Sequence, residues 1–344
     1  MRGDLKMISI RDVQSVIDDE SREFFAKRTE WSPTAGDREW ELVAHALRVL
    51  LGHGPVCVES NRSEFLAVAD RQHQDGGWGS GESSQVWISA FLGLMLIRAN
   101  AVLNEKRLAS SVQRLIDFFL ERQAADGRWR DLPIWTDLDA TSHPVSFFNV
   151  VRATREPYRA EAVTEAWEKG MRLILKQMAP DGGWYDPDFK SPGPVVASGS
   201  PVEMTAHLIQ DAVVADLLLY DRFQVKGSCH RAVHRLQAWQ ADDGSWDGGN
   251  VDHTMDATRS LMLVSRVIKE PSSLPVIERA IDWILSAKNP TGWGDFIGME
   301  SNLERLCDGL DTVLKYQAYL KQDSTELIGL WGYLPAARVC ESQR

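Results

Sequence analysis

One short signature occurs five times and constrains this chain more than anything else in it. Gln72-His-Gln-Asp-Gly-Gly-Trp78 returns as Gln123-Ala-Ala-Asp-Gly-Arg-Trp129, Gln177-Met-Ala-Pro-Asp-Gly-Gly-Trp184, Gln240-Ala-Asp-Asp-Gly-Ser-Trp246 and, shortened, Lys288-Asn-Pro-Thr-Gly-Trp293. The tryptophans are 51, 55, 62 and 47 residues apart. Self-similarity at a period near fifty marks a repeat architecture, in which each unit buries its apolar face against the next.

Each signature closes an apolar-periodic helix, as in 109–122, 166–177, 232–240 and 276–287. The Asp-Gly pair stops it, because glycine tolerates the left-handed backbone at a helix end. A second helix, rich in small and apolar residues, follows in 84–98, 140–153, 204–220, 257–267 and 302–320. An earlier pair, 10–27 and 39–51, supplies a sixth unit. Six stacked hairpins predict an all-α fold, an (α/α)6 toroid with the second helices as inner wall and the first helices outside. The expected organisation is one domain over 1–344, with segment 1–30 packing on the barrel. Thirteen tryptophans are many for 344 residues. Those of the signature are read as structural, because a buried indole N–H needs a fixed partner.

Charge and composition exclude several classes. The net charge is −11, with no Lys/Arg stripe, which argues against nucleic acid. The longest apolar run, 86–97, is broken by Ser89 and Gly93 and reads as a core helix, short of the ~18 residues of a membrane span. Cys57, Cys229, Cys307 and Cys340 are widely separated, which reads as free thiols in a reducing cytoplasm.

The Gln…Asp-Gly…Trp repeats resemble the QW repeats of squalene–hopene and oxidosqualene cyclases. The stretch Asp137-Leu-Asp139-Ala140-Thr141 resembles their D-x-D-D-T acid motif, with Ala140 replacing the third Asp. Ser200-Pro-Val-Glu203-Met-Thr205-Ala206-His207 is similar to the family's P-S-E-D-V-T-A-H segment, and Asn289-Pro-Thr-Gly-Trp293-Gly to its N-P-D-G-G-W-G. The resemblance implies a class II terpene cyclase of the one-domain kind, which protonates an alkene or epoxide of a sesqui-, diterpenoid or meroterpenoid chain. It implies Asp139 as proton donor, His207 as its partner, and Asp137 and Glu203 orienting and charge-balancing His207.

Such chemistry needs a shielded carboxyl that is neutral at rest, and a cation or donor that stabilises the carboxylate left behind. Cation intermediates need aromatic faces, each contributing roughly 0.5–2 kcal/mol. Trp87, Phe91, Trp135, Phe147, Phe148, Tyr185 and Phe296 are the expected lining, with one of Phe147 and Phe148 turned to the core. Asp256 is the rival acid, since Asp256-Ala-Thr258 repeats the Asp139 trio. Asp139 also fits an ordinary N-cap. No cofactor is expected. Cys229, His230 and His234 lack the D-x-C partner of a zinc-dependent prenyltransferase-like subunit, the first alternative; a non-catalytic lipid- or peptide-binding toroid is the second. The expected partner is a hydrophobic isoprenoid taken from or near a membrane surface.

Overall fold

The computed structural model describes residues 10–131, 137–154, 156–185, 200–322 and 324–331. Helices alternate along the chain between two layers. The outer layer holds α1 (Ile10–Ala26), α3 (Arg62–Asp70), α5 (Lys106–Arg122), α7 (Ala160–Gln177), α9 (Lys226–Trp239) and α11 (Leu274–Ser286). The inner layer holds α2 (Trp40–Gly52), α4 (Val86–Leu103), α6 (Asp137–Ala153), α8, α10 (Val251–Ile268) and α12 (Leu303–Leu320). Helix α8 starts as Pro201–His207, widens to a π-helical stretch Leu208–Val213 and finishes as Val214–Leu219. A last short helix, α13 (Ser324–Leu330), packs on α12.

The inner helices pack α2 on α4, α4 on α6, α6 on α8, α8 on α10 and α10 on α12, and α12 returns to α2, closing the ring. Each outer helix lies against the inner ring, with α1 covering the seam on α12. This is the expected α/α toroid. Capping residues set several inner helix starts. Ser200, Asn250 and Asn302 accept from the backbone N–H three residues on, and Pro201 occupies the first helical position.

Helix α4 corrects one expectation. It runs for 18 residues and is apolar and long enough to cross a membrane by length and composition. Its neighbours in the barrel cover most of that length, since 61% of it is buried inside the fold.

The repeated signature is a staple between units. Every signature tryptophan is fully buried, and its indole N–H donates to a carbonyl of the outer helix before it: Val68, Phe119, Ile174, Leu236 and Ile284, at 2.7–3.0 Å. Such a bond contributes about 1 kcal/mol net, and an unmatched indole would cost more. Gln72, Gln123 and Gln240 donate twice. One bond goes to the glycine carbonyl of their own turn, and one to the next outer helix at Ser111, Ala166 and Val276. The glycines do more than end a helix. Gly76 and Gly127 have φ of +91° and +94°, and a Cβ there would meet the carbonyl oxygens of Arg114 and Lys169 at 2.5 and 2.7 Å. They let the next outer helix approach to backbone contact. The unit after α7 departs from the pattern: Gln177 is the last helical residue and Met178 takes the glutamine's place at the helix end.

A hydroxyl on each following helix fixes the inner register. The backbone N–H groups of Trp78, Trp129, Trp184 and Trp246 donate to Ser89, Thr141, Thr205 and Thr254 at 2.8–3.1 Å. Four inner helices are thereby held at equivalent heights.

Candidate active site

That register builds a cavity. Two residues before each hydroxyl stand Trp87, Asp139, Glu203 and Asp252, and two after it stand Phe91, His143, His207 and Asp256. The same i, i+4 pair occurs as Glu41–His45 on α2 and Glu304–Asp308 on α12. All of these side chains except Asp139 line one cavity, which opens partly to solvent. The stripe continues at i+7 with Arg48, Leu94, Ser146, Gln210 and Arg259. The π-helical turn after His207 brings Gln210 and Asp211 to the wall together. Six helix N-termini meet around the cavity, and their dipoles favour the carboxylates in the first turns.

The arc formed by α6, α8 and α10 carries a continuous charge chain. His207 Nδ1 lies 3.5 Å from Asp139 Oδ1, and its Nε2 lies 3.0 Å from Asp256 Oδ2. Arg259 pairs with the other Asp256 oxygen. Burial disfavours an imidazolium at His207, but Asp256 and Asp139 outweigh it and raise its pKa well above the ordinary value. Burial likewise raises Asp139, and His207 and His143 overcome it, holding the carboxyl below the usual range. Asp256 is driven far lower, because Arg259 and His207 together overcome its burial. His143, 3.9 Å from Asp139, is pushed down to about 4 by burial and is neutral near pH 7.

Residues 133–312, just over half the chain, match the Squalene-hopene cyclase C-terminal domain. The chain belongs to this family of class II terpene cyclases. No curated protein sequence matches it. Among solved structures it is similar to a variant of the type II terpene cyclase MstE from Scytonema in complex with geranylgeranyl dihydroxybenzoate. Identity is 11%, coverage 94% of this chain and 99% of that one, and the TM-score 0.61. The ent-copalyl diphosphate synthase from Streptomyces platensis is 16% identical with a TM-score of 0.53 over 81% of this chain, which spans about half (49%) of that longer protein. A glycosyl hydrolase family 88 protein from Bacteroides vulgatus superposes equally well, with a TM-score of 0.63 at 11% identity, over 91% of this chain and 100% of that one. At these identities the structures speak to the fold, and this fold hosts unrelated reactions.

Within this cyclase family member, the structure sorts the candidates read from the sequence. It brings together Asp139, His207 and, through α8, Glu203. Asp139 is in the first turn of α6 rather than before it, 2% exposed, one layer behind His143 and His207. Its trio is not the repeat of Asp256-Ala-Thr258, because Thr254 is the partner of Thr141. Asp252 therefore stands where Asp139 does, and Asp256 where His143 does. Asp137 does not orient His207: it is half-exposed and paired with Arg128 at 2.9 Å, which draws it outward. Glu203 lines the cavity 3.5 Å from His253. Burial raises it to about 7.

The aromatic expectation is largely corrected. Trp87 and Phe91 line the cavity; Trp135 lies outside the described residues. Phe147 and Phe148 are both fully buried, packed with Phe119, and neither reaches the cavity. Tyr185 is outside, donating to Asp181 at 2.6 Å with its ring against Trp239. Phe296, in the loop before α12, pairs by backbone with Asn250 away from the cavity. Sequence reading missed Trp331, which lines the wall beside Lys315. It also missed the dominance of charge: seven Asp/Glu, four Arg/Lys and three His side chains face the cavity. The signal was present, since aligning the units on Ser89, Thr141, Thr205 and Thr254 exposes every i, i+4 pair on those helices.

The acid surplus leaves the cavity's carboxyls without a matching number of cations. Asp211 is raised to about 6 and Glu41 to about 7, in each case chiefly by burial. Outside the barrel His230 and His234 converge on Glu270, at 3.3 and 3.6 Å, while Cys229 is turned into the core. Cys57, Cys229 and Cys307 are free; Cys340 lies outside the described residues.

Proposed function

We propose that this chain is an acid-initiated cyclase in which Asp139 protonates the terminal alkene or epoxide of an isoprenoid chain, and ring closure and proton loss follow. The observation that carries the reading is the buried sequence Asp139–His207–Asp256–Arg259. Two carboxylates and two cations alternate, so the chain is neutral as a whole, and the carboxylate left at Asp139 after proton transfer is met at once by His207. Burial is already the largest influence on Asp139 and favours its protonated form. An apolar substrate displacing water from the cavity adds to that influence and loads the proton where the alkene arrives, past the His143 ring. Asp256, tied to Arg259 and His207, is the charge anchor and not the donor.

The substrate class follows from the family and from the prenylated ligand named for the MstE complex. The polar wall implies a chain that carries a polar head, with Trp87, Phe91 and Trp331 facing its hydrocarbon. Uptake from a membrane surface by a cytoplasmic protein belongs to the same proposal. Ile297 and Met299 support it, being exposed in the loop that leads to α12, at the cavity end of the barrel.

The test is incubation with farnesyl- and geranylgeranyl-bearing aromatic acids and diphosphates, followed by mass and NMR analysis. A product of unchanged mass with fewer double bonds is expected, and Asp139→Asn should abolish it with the helical circular dichroism intact. If Asp139→Asn keeps most of the turnover while Asp256→Asn loses it, the donor is misassigned.

A further inference from the structure

We propose that Glu41, His45 and Glu304 form a divalent-cation site on the α2–α12 wall of the cavity, with Asp308 as the outer carboxylate that orients His45. One ligand atom from each of the three residues lies within 4.8 Å of the others, a spacing that a single ion can span. The set arises from the barrel register itself: Glu41 and His45 are an i, i+4 pair, and α12 places Glu304 at the matching height beside them.

His45 is 9% exposed, and its Nδ1 lies 3.1 Å from Asp308 Oδ1. Arg48 pairs with the same Asp308 and also lies 2.9 Å from Nδ1. The other nitrogen, Nε2, faces Glu304 4.0 Å away, where an incoming ion would displace its proton. A carboxylate holding one imidazole nitrogen while the other faces a cluster of anionic oxygens is the usual outer arrangement of a metal-binding histidine. Arg305 contacts Glu304 at 2.9 Å and helps to fix its side chain.

The charge balance points the same way. Among the described residues Glu41 makes no ion pair, and its carboxyl lies within 4.8 Å of the Glu304 and His45 ligand atoms. Two carboxylates that crowd each other inside a partly desolvated wall gain most from a cation. One nitrogen and two oxygens suit Zn²⁺, Co²⁺ or Mn²⁺ better than Ca²⁺, and the remaining coordination positions open to the cavity. The site stands on this wall's geometry and does not depend on which acid starts the cyclisation.

The full chain, stripped with chelator, is titrated with Co²⁺ and with Zn²⁺, reading the cobalt absorption bands and calorimetric heats. The outer His230–His234–Glu270 cluster is removed first by H230A/H234A, so that it cannot supply the signal. In that background one Co²⁺ per chain is expected, with protons released on binding. E41Q and E304Q should each weaken it by roughly tenfold or more. E41Q removes the charge of a side chain that makes no ion pair, so its fold is secure even where E304Q disturbs Arg305. If the H230A/H234A chain binds no cobalt, or if E41Q binds as tightly as its parent, the proposal is overturned.

Discussion

The two arcs of the cavity wall use one register to opposite ends. On α6, α8 and α10 the i, i+4 positions read Asp139–His143, Glu203–His207 and Asp252–Asp256, and His207 and Arg259 are interleaved with the carboxylates. On α12 and α2 they read Glu304–Asp308 and Glu41–His45. There the cations Arg48, Arg259 and Arg305 gather on Asp308 and leave Glu41 crowded by Glu304. The i, i+4 spacing is the same in the two arcs. What differs is whether a cation stands between the acids, and that decides whether a carboxyl is held ionised or pushed toward its neutral form.

The comparison can be broken most sharply at His207. Replacing it by Gln leaves Asp139 and Asp256 without the cation they share, and turnover should fall by roughly 10²–10⁴-fold, read by product formation under single-turnover conditions. Little loss would mean that the balanced arc is not the initiating one.

Asp256→Asn comes next. It leaves the buried Arg259 and His207 with one carboxylate fewer, and should cost about 3–5 kcal/mol of stability, measured by denaturant unfolding. A value near zero would show that Asp308 and Asp311 alone suffice for Arg259.

Thr141→Val strands the buried N–H of Trp129 beneath the α6 register. Its expected cost is about 1–3 kcal/mol, with lower turnover because Asp139 is displaced; unfolding and kinetics on one preparation check both.

A fourth measurement follows the raised acids. Glu203 has a folded pKa of about 7 against an ordinary 4.5, so the folded state holds the proton more tightly. Its contribution to stability is present at low pH and is lost as pH rises from about 4.5 through about 7. Glu203→Gln should therefore flatten the decline of the melting temperature over that window. An unchanged profile would place the proton elsewhere in the surplus.

The smallest effect is expected at Met178. Met178→Gln restores the double donor that Gln72, Gln123 and Gln240 supply at the equivalent place, and should add about 0.5–1.5 kcal/mol by thermal unfolding.

Much of the toroid was legible because its determinants are local. Gln72, Asp75, Gly76 and Trp78 act within one turn and on the adjacent helix, so their spacing carries the fold. Asp139 and His207 were legible only through a resemblance, since a lone acid and a lone histidine have many ordinary uses. Phe147, Phe148, Tyr185 and Phe296 misled because an aromatic beside a motif faces whichever side the helix phase dictates. Phase at α6 is set by Thr141 catching Trp129, a contact between elements. Asp256-Ala-Thr258 misled for the same reason: three matching letters stood in the wrong phase.

By itself the sequence determined the repeat, the alternation of outer and inner helices, and the family. These follow from periodicities and turn chemistry that act over a few residues. Tertiary structure alone decided which side chains share the cavity and which acids acquire cations. Closing the ring brings Glu304 to Glu41 and His207 between Asp139 and Asp256 across more than a hundred residues of chain. Charges respond to distance in space and to burial, and neither is written in the spacing along the chain.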